Sequence, residues 1–347
     1  MAERAGFQAV VTALRQPNVL ALARLLGDAN AYLRVQFFSA ALRSGLLAVL
    51  RTPAAQDELA QRLGVKRPEL LDALLEMGVA LKELSKRSGT YRVSGRRSRA
   101  LLDGESGDAL AAIIEEITGY HASVYQLLPE RLRGAPDGDY LSETGELIAR
   151  SSRAFEPFVA NFVRSIAATG RPMRMLEVGC GSGAYLRHAA EANPQLTGVG
   201  IDLDESVVQQ ARANLGEWGG GDRFHLLVAD ARQPPAELDG PFDLITLYNN
   251  IYYFTPEERP PLLRRFRSWL APGGSLVLVT VMRSSTPAAA DLDLALRCTQ
   301  GCTGLPALDE VRAVLKESGF ASVRTVKLMP GEAFFGLVAA PDTITGG

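Results

Sequence analysis

The chain has 347 residues, 47% of them hydrophobic and 22% charged, which is enough apolar material for a real core and excludes a disordered or collagen-like chain. At roughly 150 residues per domain the length predicts about two domains. A formal net charge of −2 argues against a nucleic-acid surface over the whole chain, no apolar run approaches the roughly 18 residues of a membrane span, and the opening MAERAGFQAV lacks the apolar core of a secretory signal, so a soluble, cytoplasmic protein is expected.

In chain order, the first hundred residues read as helices, with apolar residues at helical spacing over 31–50, 56–63 and 68–81. DELAQRLGV and KRPELLDALLEMGVA form two short amphipathic helices joined by a glycine-containing turn, with Pro68 at a first helical position. LKELSKRSGTYRVSG follows, two strand-like runs around Ser88-Gly89 that signal a hairpin. Helix, turn, helix and hairpin make a winged-helix pattern. Lys82, Lys86, Arg87, Arg92, Arg96, Arg97 and Arg99 against Glu83 make the hairpin basic, as in a DNA-binding wing or in a solvated loop on a domain used for packing.

Residues 106–168 are helical again, interrupted by the turn cluster GAPDGD at 134–139. From Met173 apolar strands alternate with helices: MRMLEVG, a helix to Ala192, LTGVGID, a helix to Leu215, RFHLLVAD, a proline-rich turn, FDLITLYN, a helix over 256–270, and SLVLVTVM. Such alternation predicts an α/β domain, a parallel sheet with helices on both faces. A helix over 308–318 and two runs, ASVRTVKL and EAFFGLVAA, follow; the Met329-Pro330-Gly331 turn between those runs predicts an antiparallel pair.

The sharpest chemical feature is LEVGCGSGAYL at 176–186, which follows a predicted strand and opens a helix, the context of a nucleotide-binding loop. Gly179, Gly181 and Gly183 let backbone approach a ligand closely, although Gly183 also suits helix packing. Their G-x-G-x-G spacing lacks the G-x-G-x-x-G of a dinucleotide fold. Glu177, two residues before the first glycine, would repel a pyrophosphate and favours a ligand with positive charge, such as an amino group or a sulfonium.

In this acid-plus-glycine form the sequence resembles the class I S-adenosylmethionine-dependent methyltransferases, and further segments extend the resemblance in order. GIDLD ends the second strand with Asp202, suited to hydrogen-bonding two ribose hydroxyls, or else to capping the helix that follows. VADA ends the third strand with Asp230 and Ala231, where the resemblance implies contact with the adenine; a simple turn acid is the other use of Asp230. PFDLITLYNN is like the family's fourth strand and LAPGGSLVLV like its turn into the fifth. The resemblance implies a Rossmann-like seven-stranded sheet with an antiparallel last strand, and S-adenosyl-L-methionine as cofactor. With helical and winged-helix material ahead of it, the chain is similar to the dimeric small-molecule O-methyltransferases of plants and of bacterial natural-product pathways. There the wing holds no DNA; the helices interlock with a second subunit and help to roof the substrate pocket. The expected organisation is a winged-helix dimerisation domain over 1–104, linking helices roofing the pocket over 105–170, and the methyltransferase domain over 171–347.

One departure bears on mechanism. Where the plant-type enzymes carry a histidine as general base after the fourth strand, this sequence has Tyr252, followed by Tyr253 and Phe254. A tyrosine near pKa 10 is a poor base at neutral pH unless its surroundings lower that value. Positioning alone can suffice, because the sulfonium is already a strong electrophile; an oxygen, nitrogen, carboxylate or carbon acceptor therefore stays open. Of the three histidines, His188 and His225 suit structural roles, whereas His121 falls where the family builds its substrate pocket. Tyr252 and His121 are the candidate catalytic residues. Tyr248, Asn249 and Asn250 cluster at the strand end that faces ligands in open sheets, either to orient a substrate or as a tight turn with packed aromatics. Cys298 and Cys302, in C-x-x-x-C spacing, are too few for a metal site, and three cysteines do not make a disulfide framework.

The reading is a homodimeric methyltransferase of a small molecule in natural-product biosynthesis, with no metal, membrane or nucleic-acid partner. A winged-helix DNA-binding regulator that keeps the cofactor fold as a sensor, and a peptide or protein methyltransferase, are the alternatives.

Overall fold

Helix α1 (Val19–Arg43) starts twelve residues before the region where apolar spacing first suggests a helix, and ends earlier. Its start escapes a pattern search because Leu20, Leu22, Leu25 and Leu26 are all exposed and join no core cluster among the described residues. Its end is set by Gly45, whose φ of +76° breaks the predicted 31–50 helix into α1 and the single turn α2 (Leu46–Val49). These elements belong to a computed structural model that describes residues 17–341, apart from 237 and 239, together with Thr12 and Arg15; the opening MAERAGFQAV lies outside the described residues.

The chain divides into two units after Gly119, so the division falls within the stretch that the sequence treats as linking helices. In the first unit, α3 (Gln56–Arg62) and α4 (Pro68–Ala80) form the predicted helical pair, with Pro68 in the first turn of α4. Strands β2 (Leu84–Arg87) and β3 (Thr90–Val93) form the wing, and β1 (Ala54–Ala55), which the sequence pattern did not show, completes a three-stranded sheet in the order β1-β3-β2. Ser88 and Gly89 both have positive φ, 47° and 77°, the requirement of a type I′ hairpin turn. Helices α5 (Arg96–Ala100) and α6 (Gly104–Glu116) follow. Phe37, Leu46, Leu59, Leu75, Leu84 and Tyr91 share one core. The wing's charges are partly consumed at home: Lys86 pairs with Glu76 at 2.8 Å, and Arg34 and Arg97 reach the buried Glu83 at 3.4 and 3.3 Å.

The second unit opens with a π-helical turn at Ile117–His121 that straddles the division, then α7 (Ala122–Arg131), α8 (Tyr140–Ser152) and α9 (Glu156–Ala167). The GAPDGD turn lies between α7 and α8 as predicted. The alternating region then gives β4 (Met173–Val178), α10 (Ala184–Ala192), β5 (Leu196–Asp202), α11 (Glu205–Glu217), β6 (Phe224–Val228), β7 (Phe242–Tyr248), α12 (Arg259–Ser268) and β8 (Leu270–Val281). Helix α13 (Pro287–Arg297) was not predicted; α14 (Leu308–Glu317), β9 (Phe320–Lys327) and β10 (Phe334–Pro341) were.

The seven-stranded sheet has the order β6-β5-β4-β7-β8-β10-β9. Strands β4 to β8 are parallel, and β10 runs antiparallel between β8 and β9. The chain proceeds outward from β4 to β6 and then returns to β4's other side with β7. That reversal is the topological switch point at which open α/β sheets bind ligands. Both faces are covered, as parallel strands require: Val159, Phe162, Leu186 and Val208 pack on one, and Leu262, Phe266, Val311 and Leu315 on the other. Among the described residues, no helix is long and apolar enough to cross a membrane.

Candidate cofactor and acceptor site

Strand β4 carries the glycine loop to the switch point. Its side chains alternate across the sheet, Met173 and Met175 into one core and Leu176 and Val178 into the other, so Glu177 shares the face of Met175. Glu177 is 1% exposed, and neither carboxylate oxygen has a side-chain hydrogen-bond partner among the described residues. Burial, and secondarily the Asp202 carboxylate, push its carboxyl well above the ordinary range, against a lesser opposing effect of the Leu186 backbone. The rings of Tyr185 and Tyr248 meet edge to face, 4.7 Å between centroids. Burial raises both phenols.

The loop after β4 folds back onto β5. The Cys180 amide donates to the Ile201 carbonyl at 2.9 Å, and the Gly181 amide to Asp202 Oδ2 at 3.0 Å. Gly179 has φ +67°, and a Cβ there would lie 2.6 Å from Asn250 Nδ2. Gly183 has φ +78° and caps α10, where a Cβ would press on Leu215 at 3.3 Å; its packing role is therefore real. Gly181 has φ +53°, and a Cβ there would meet nothing within 4 Å, so its face is open for a ligand. Asp202 does not cap α11. Asp204 does, accepting from the Ser206 amide at 2.8 Å and the Val207 amide at 3.3 Å, while Asp202 accepts from the Gly181 amide through Oδ2 and from the Asp204 amide through Oδ1 at 3.3 Å.

Asp230 makes the turn that its acid suggested, accepting from the Arg232 amide at 2.8 Å, and its side chain is 33% exposed. Ala231 is buried, and its carbonyl accepts from Arg265. Arg232 ties this loop to the turn after β7, reaching Glu258 at 2.9 Å and the Tyr253 carbonyl at 2.6 Å, with its guanidinium over the Phe254 ring. That turn begins with Asn249 in the left-handed region, φ +52°, a conformation asparagine tolerates. Asn250 is buried and donates from Nδ2 to the Val178 carbonyl, with its Oδ1 unpartnered; it fastens the turn to β4. Tyr248 is buried beside Tyr185 in the core under the sheet end.

Tyr252 packs with Leu292 and Cys302 on a cluster of Ala289, Leu296 and Leu305. Its carbonyl accepts from the Thr303 amide and hydroxyl at 2.7 and 3.0 Å, and Thr303 Oγ1 in turn accepts from Arg259 at 2.8 Å. Arg259 is itself buried and donates to the Phe254 carbonyl at 3.1 Å, so one guanidinium holds both ends of the Tyr252 turn. His121 lies with its Nδ1 2.5 Å from Asp291 Oδ2, and the Tyr125 hydroxyl donates to Asp291 Oδ1 at 2.7 Å. Burial lifts the Asp291 carboxyl, but hydrogen bonds from His121 and Tyr125 outweigh it and leave it below the ordinary range. His188 bridges Glu156 at 2.7 Å and Arg164 at 2.8 Å between α9 and α10, and His225 is exposed on the edge strand β6. Among the described residues, no group of three or more histidine, cysteine or acidic side chains is arranged to hold a metal ion. Two surface cavities, of about 300 and 410 Å³, lie by Trp218 and Phe224 and by Thr197 and His225, toward the strand starts and away from the glycine loop.

Residues 175–274 match the family described as a methyltransferase domain. These 100 residues carry a methyltransferase domain. This methyltransferase is similar, at 26% identity over 310 residues, to the 3-hydroxy-5-methyl-1-naphthoate 3-O-methyltransferase of Streptomyces sahachiroi, covering 85% of this chain and 88% of that one. Its fold is that of an O-methyltransferase family protein from Burkholderia thailandensis (TM-score 0.78, 19% identity, 92% of this chain and 98% of that one). The same fold occurs in human N-acetylserotonin methyltransferase, solved in complex with S-adenosylmethionine (TM-score 0.73, 18% identity, 92% and 97%).

The residues present fit the cofactor. A buried acid with no side-chain partner among the described residues is matched by a ligand bearing an ammonium and a sulfonium, which would favour its charged form, and the open face of Gly181 admits one. Spacing alone missed Arg232, Arg259, Thr303 and Asp291. The first follows Asp230 by two residues, but the other partnerships join segments distant in sequence. The signal for α13 was present: Thr286 before Pro287 is a cap followed by a first-turn proline, and its side chain accepts from the Ala289 amide.

Proposed function

We propose that the chain transfers the methyl group of S-adenosylmethionine to a hydroxyl oxygen of a small, largely apolar molecule in a natural-product pathway. When bound, the cofactor supplies a methyl carbon already activated on a sulfonium. Glu177 faces its positive charge, Asp202 and the glycine loop hold the ribose side, and Asp230 and Ala231 the adenine side. The observation that carries the reading is the pairing of the buried Glu177, which has no side-chain partner among the described residues, with an open glycine loop at the switch point. The apolar cluster around Tyr252 at the same strand ends supports an apolar acceptor, and the relative from Streptomyces sahachiroi is named for O-methylation of a hydroxynaphthoate.

The second copy belongs to the same reading. Leu22, Leu25, Leu26 and Leu33 are exposed at helical spacing along α1, an apolar stripe of the kind that marks an interface, and the resemblance to dimeric enzymes supplies the partner.

The test is incubation with S-adenosylmethionine and a panel of naphthols and hydroxynaphthoates, including 3-hydroxy-5-methyl-1-naphthoate, read by mass spectrometry. A methyl ether as product is expected. A methyl ester, an N-methyl product from amine controls alone, or no methylated product contradicts the hydroxyl assignment.

A further inference from the structure

The turn that follows β7 is held at three consecutive carbonyls, each by a different residue. Thr303 donates to the Tyr252 carbonyl and Arg259 to that of Phe254. The middle one, of Tyr253, accepts from Arg232, which comes from the loop after β6. The Arg232 guanidinium uses all three of its nitrogens: Nε donates to Glu258 Oε1 at 2.9 Å, Nη1 to Asp230 Oδ1 at 3.4 Å, and Nη2 to the Tyr253 carbonyl at 2.6 Å. Its face lies 4.8 Å from the centre of the Phe254 ring. A planar fork of donors can reach three acceptors and an aromatic face at once, which the single ammonium of a lysine cannot. Glu258 is a charged anchor for it: the Thr255 amide, and after it Arg232, outweigh burial and hold the Glu258 carboxyl below the ordinary range.

Both ends of this bridge meet the glycine loop. On the β6 side the Ala229 amide donates to the Asp202 carbonyl at 2.8 Å, and Asp202 Oδ2 accepts from the Gly181 amide at 3.0 Å. On the β7 side Asn250 donates to the Val178 carbonyl, and its Nδ2 would lie 2.6 Å from a Cβ on Gly179. Asp230 divides its carboxylate. The Arg232 amide and guanidinium both bond to Oδ1, and among the described residues Oδ2 has no hydrogen-bond partner, so Oδ2 is the oxygen left for a donor on a ligand. A donor that takes Oδ2 restrains Asp230, and through Oδ1 it restrains the arginine that grips the turn. Order passes along bonded groups in this way without any change of shape.

We propose that Arg232 couples the adenine side of the cofactor site to the turn after β7: a filled adenine subsite orders residues 250–254, and a molecule seated on that turn tightens the cofactor in return. This rests on the cofactor assignment of the preceding section. Arg232 is a positioning residue, since it acts through Asp230 and the Tyr253 carbonyl. The ligand chemistry follows from the free oxygen. Asp230 Oδ2 accepts, so a purine that presents an amino group there engages the coupling, and a purine without that donor binds through the rest of the site but leaves the turn as it was.

The experiment is hydrogen–deuterium exchange of the full chain with and without saturating S-adenosylhomocysteine, read on peptides covering the glycine loop at 176–186 and the turn at 249–256. Wild type, Arg232→Gln, Arg232→Lys and Arg265→Gln are compared, with melting temperatures as a check on folding; the Arg232 side chain is 32% exposed. Arg265→Gln is the structural control, because it removes two bonds to the same loop, at the Ala231 and Arg232 carbonyls, and none to the turn among the described residues. In wild type the ligand should slow exchange in both peptides, by about fivefold or more in the turn. In both Arg232 variants the slowing should persist in the glycine loop and fall below about twofold in the turn, whereas Arg265→Gln keeps both. The analogue of S-adenosylhomocysteine with hydrogen in place of the adenine amino group should protect the glycine loop of wild type and not the turn, an arm that stands even where a variant fails to fold. Undiminished turn protection in the Arg232 variants overturns the proposal. So does a wild-type turn that ignores the bound ligand, an equal loss in Arg265→Gln, or full turn protection by the analogue. Wild type that shows no slowing anywhere and no binding by calorimetry overturns instead the cofactor reading beneath the proposal.

Discussion

At the residue scale, Glu177 unites the sequence and the structure. Its place before the glycines was readable as a preference for positive charge, because that inference needs only the identity of one side chain and its loop. The upward shift of its carboxyl was not readable, since it depends on complete burial and on Asp202 arriving from β5. The sign follows from linkage. A carboxyl raised above its unfolded value holds its proton in the folded state where the unfolded chain has lost it, so folding loses stability as pH rises above the ordinary carboxylate range. Glu177→Gln removes that loss. At neutral pH its thermal unfolding temperature should equal or exceed that of wild type, by an amount equivalent to about 1–3 kcal/mol, and the gap should narrow toward pH 4. S-adenosylmethionine should stabilise wild type more than the variant. A variant that melts well below wild type at neutral pH would show that the carboxylate holds the apo fold together by bonds of its own. The same limit of legibility applies to Asp202 and Asp204: both precede α11, and only the structure shows that the second takes the cap.

At the element scale, periodicity succeeded where a helix or strand packs on its own chain and failed where it does not. The β4 to β8 alternation and the hairpin at Ser88-Gly89 were legible because inward-facing residues repeat at the spacing of the element. The first half of α1 was not, because its leucines face outward. Helix α13 was missed because PAAADLDLALR carries small residues and acids in its first turns, although Thr286 and Pro287 announced it. The outward leucines of α1 make a prediction at this scale. Sedimentation should find a dimer for the wild type, and Leu22→Glu with Leu26→Glu should shift it to monomer while the circular dichroism of the helices is retained. A wild-type monomer at micromolar concentration, or a double variant that stays dimeric, contradicts the assignment of that stripe.

At the scale of the whole molecule, strand order was the least legible feature and the one that positions the site. Alternating strands and helices imply a parallel sheet, but nothing in the spacing says that β7 returns beside β4, and that return brings Asn250 against Gly179 and the Tyr252 turn to the glycine loop. Resemblance supplied the expectation of seven strands with an antiparallel last strand, and the sheet has that form, with β10 inserted between β8 and β9. The proposed acceptor side was legible only in part. The replacement of the expected histidine by Tyr252 could be seen in the sequence, whereas the Asp291 beside His121 is 170 residues away along the chain. The central claim is that Glu177, the glycine loop and Asp202 form a cofactor site, and calorimetric titration with S-adenosylhomocysteine tests it most directly. The account predicts saturable binding to wild type and an affinity weaker by about 10-fold or more in Asp202→Ala, the loss expected for hydrogen bonds to a charged group; no binding to wild type, or undiminished affinity in Asp202→Ala, would contradict it.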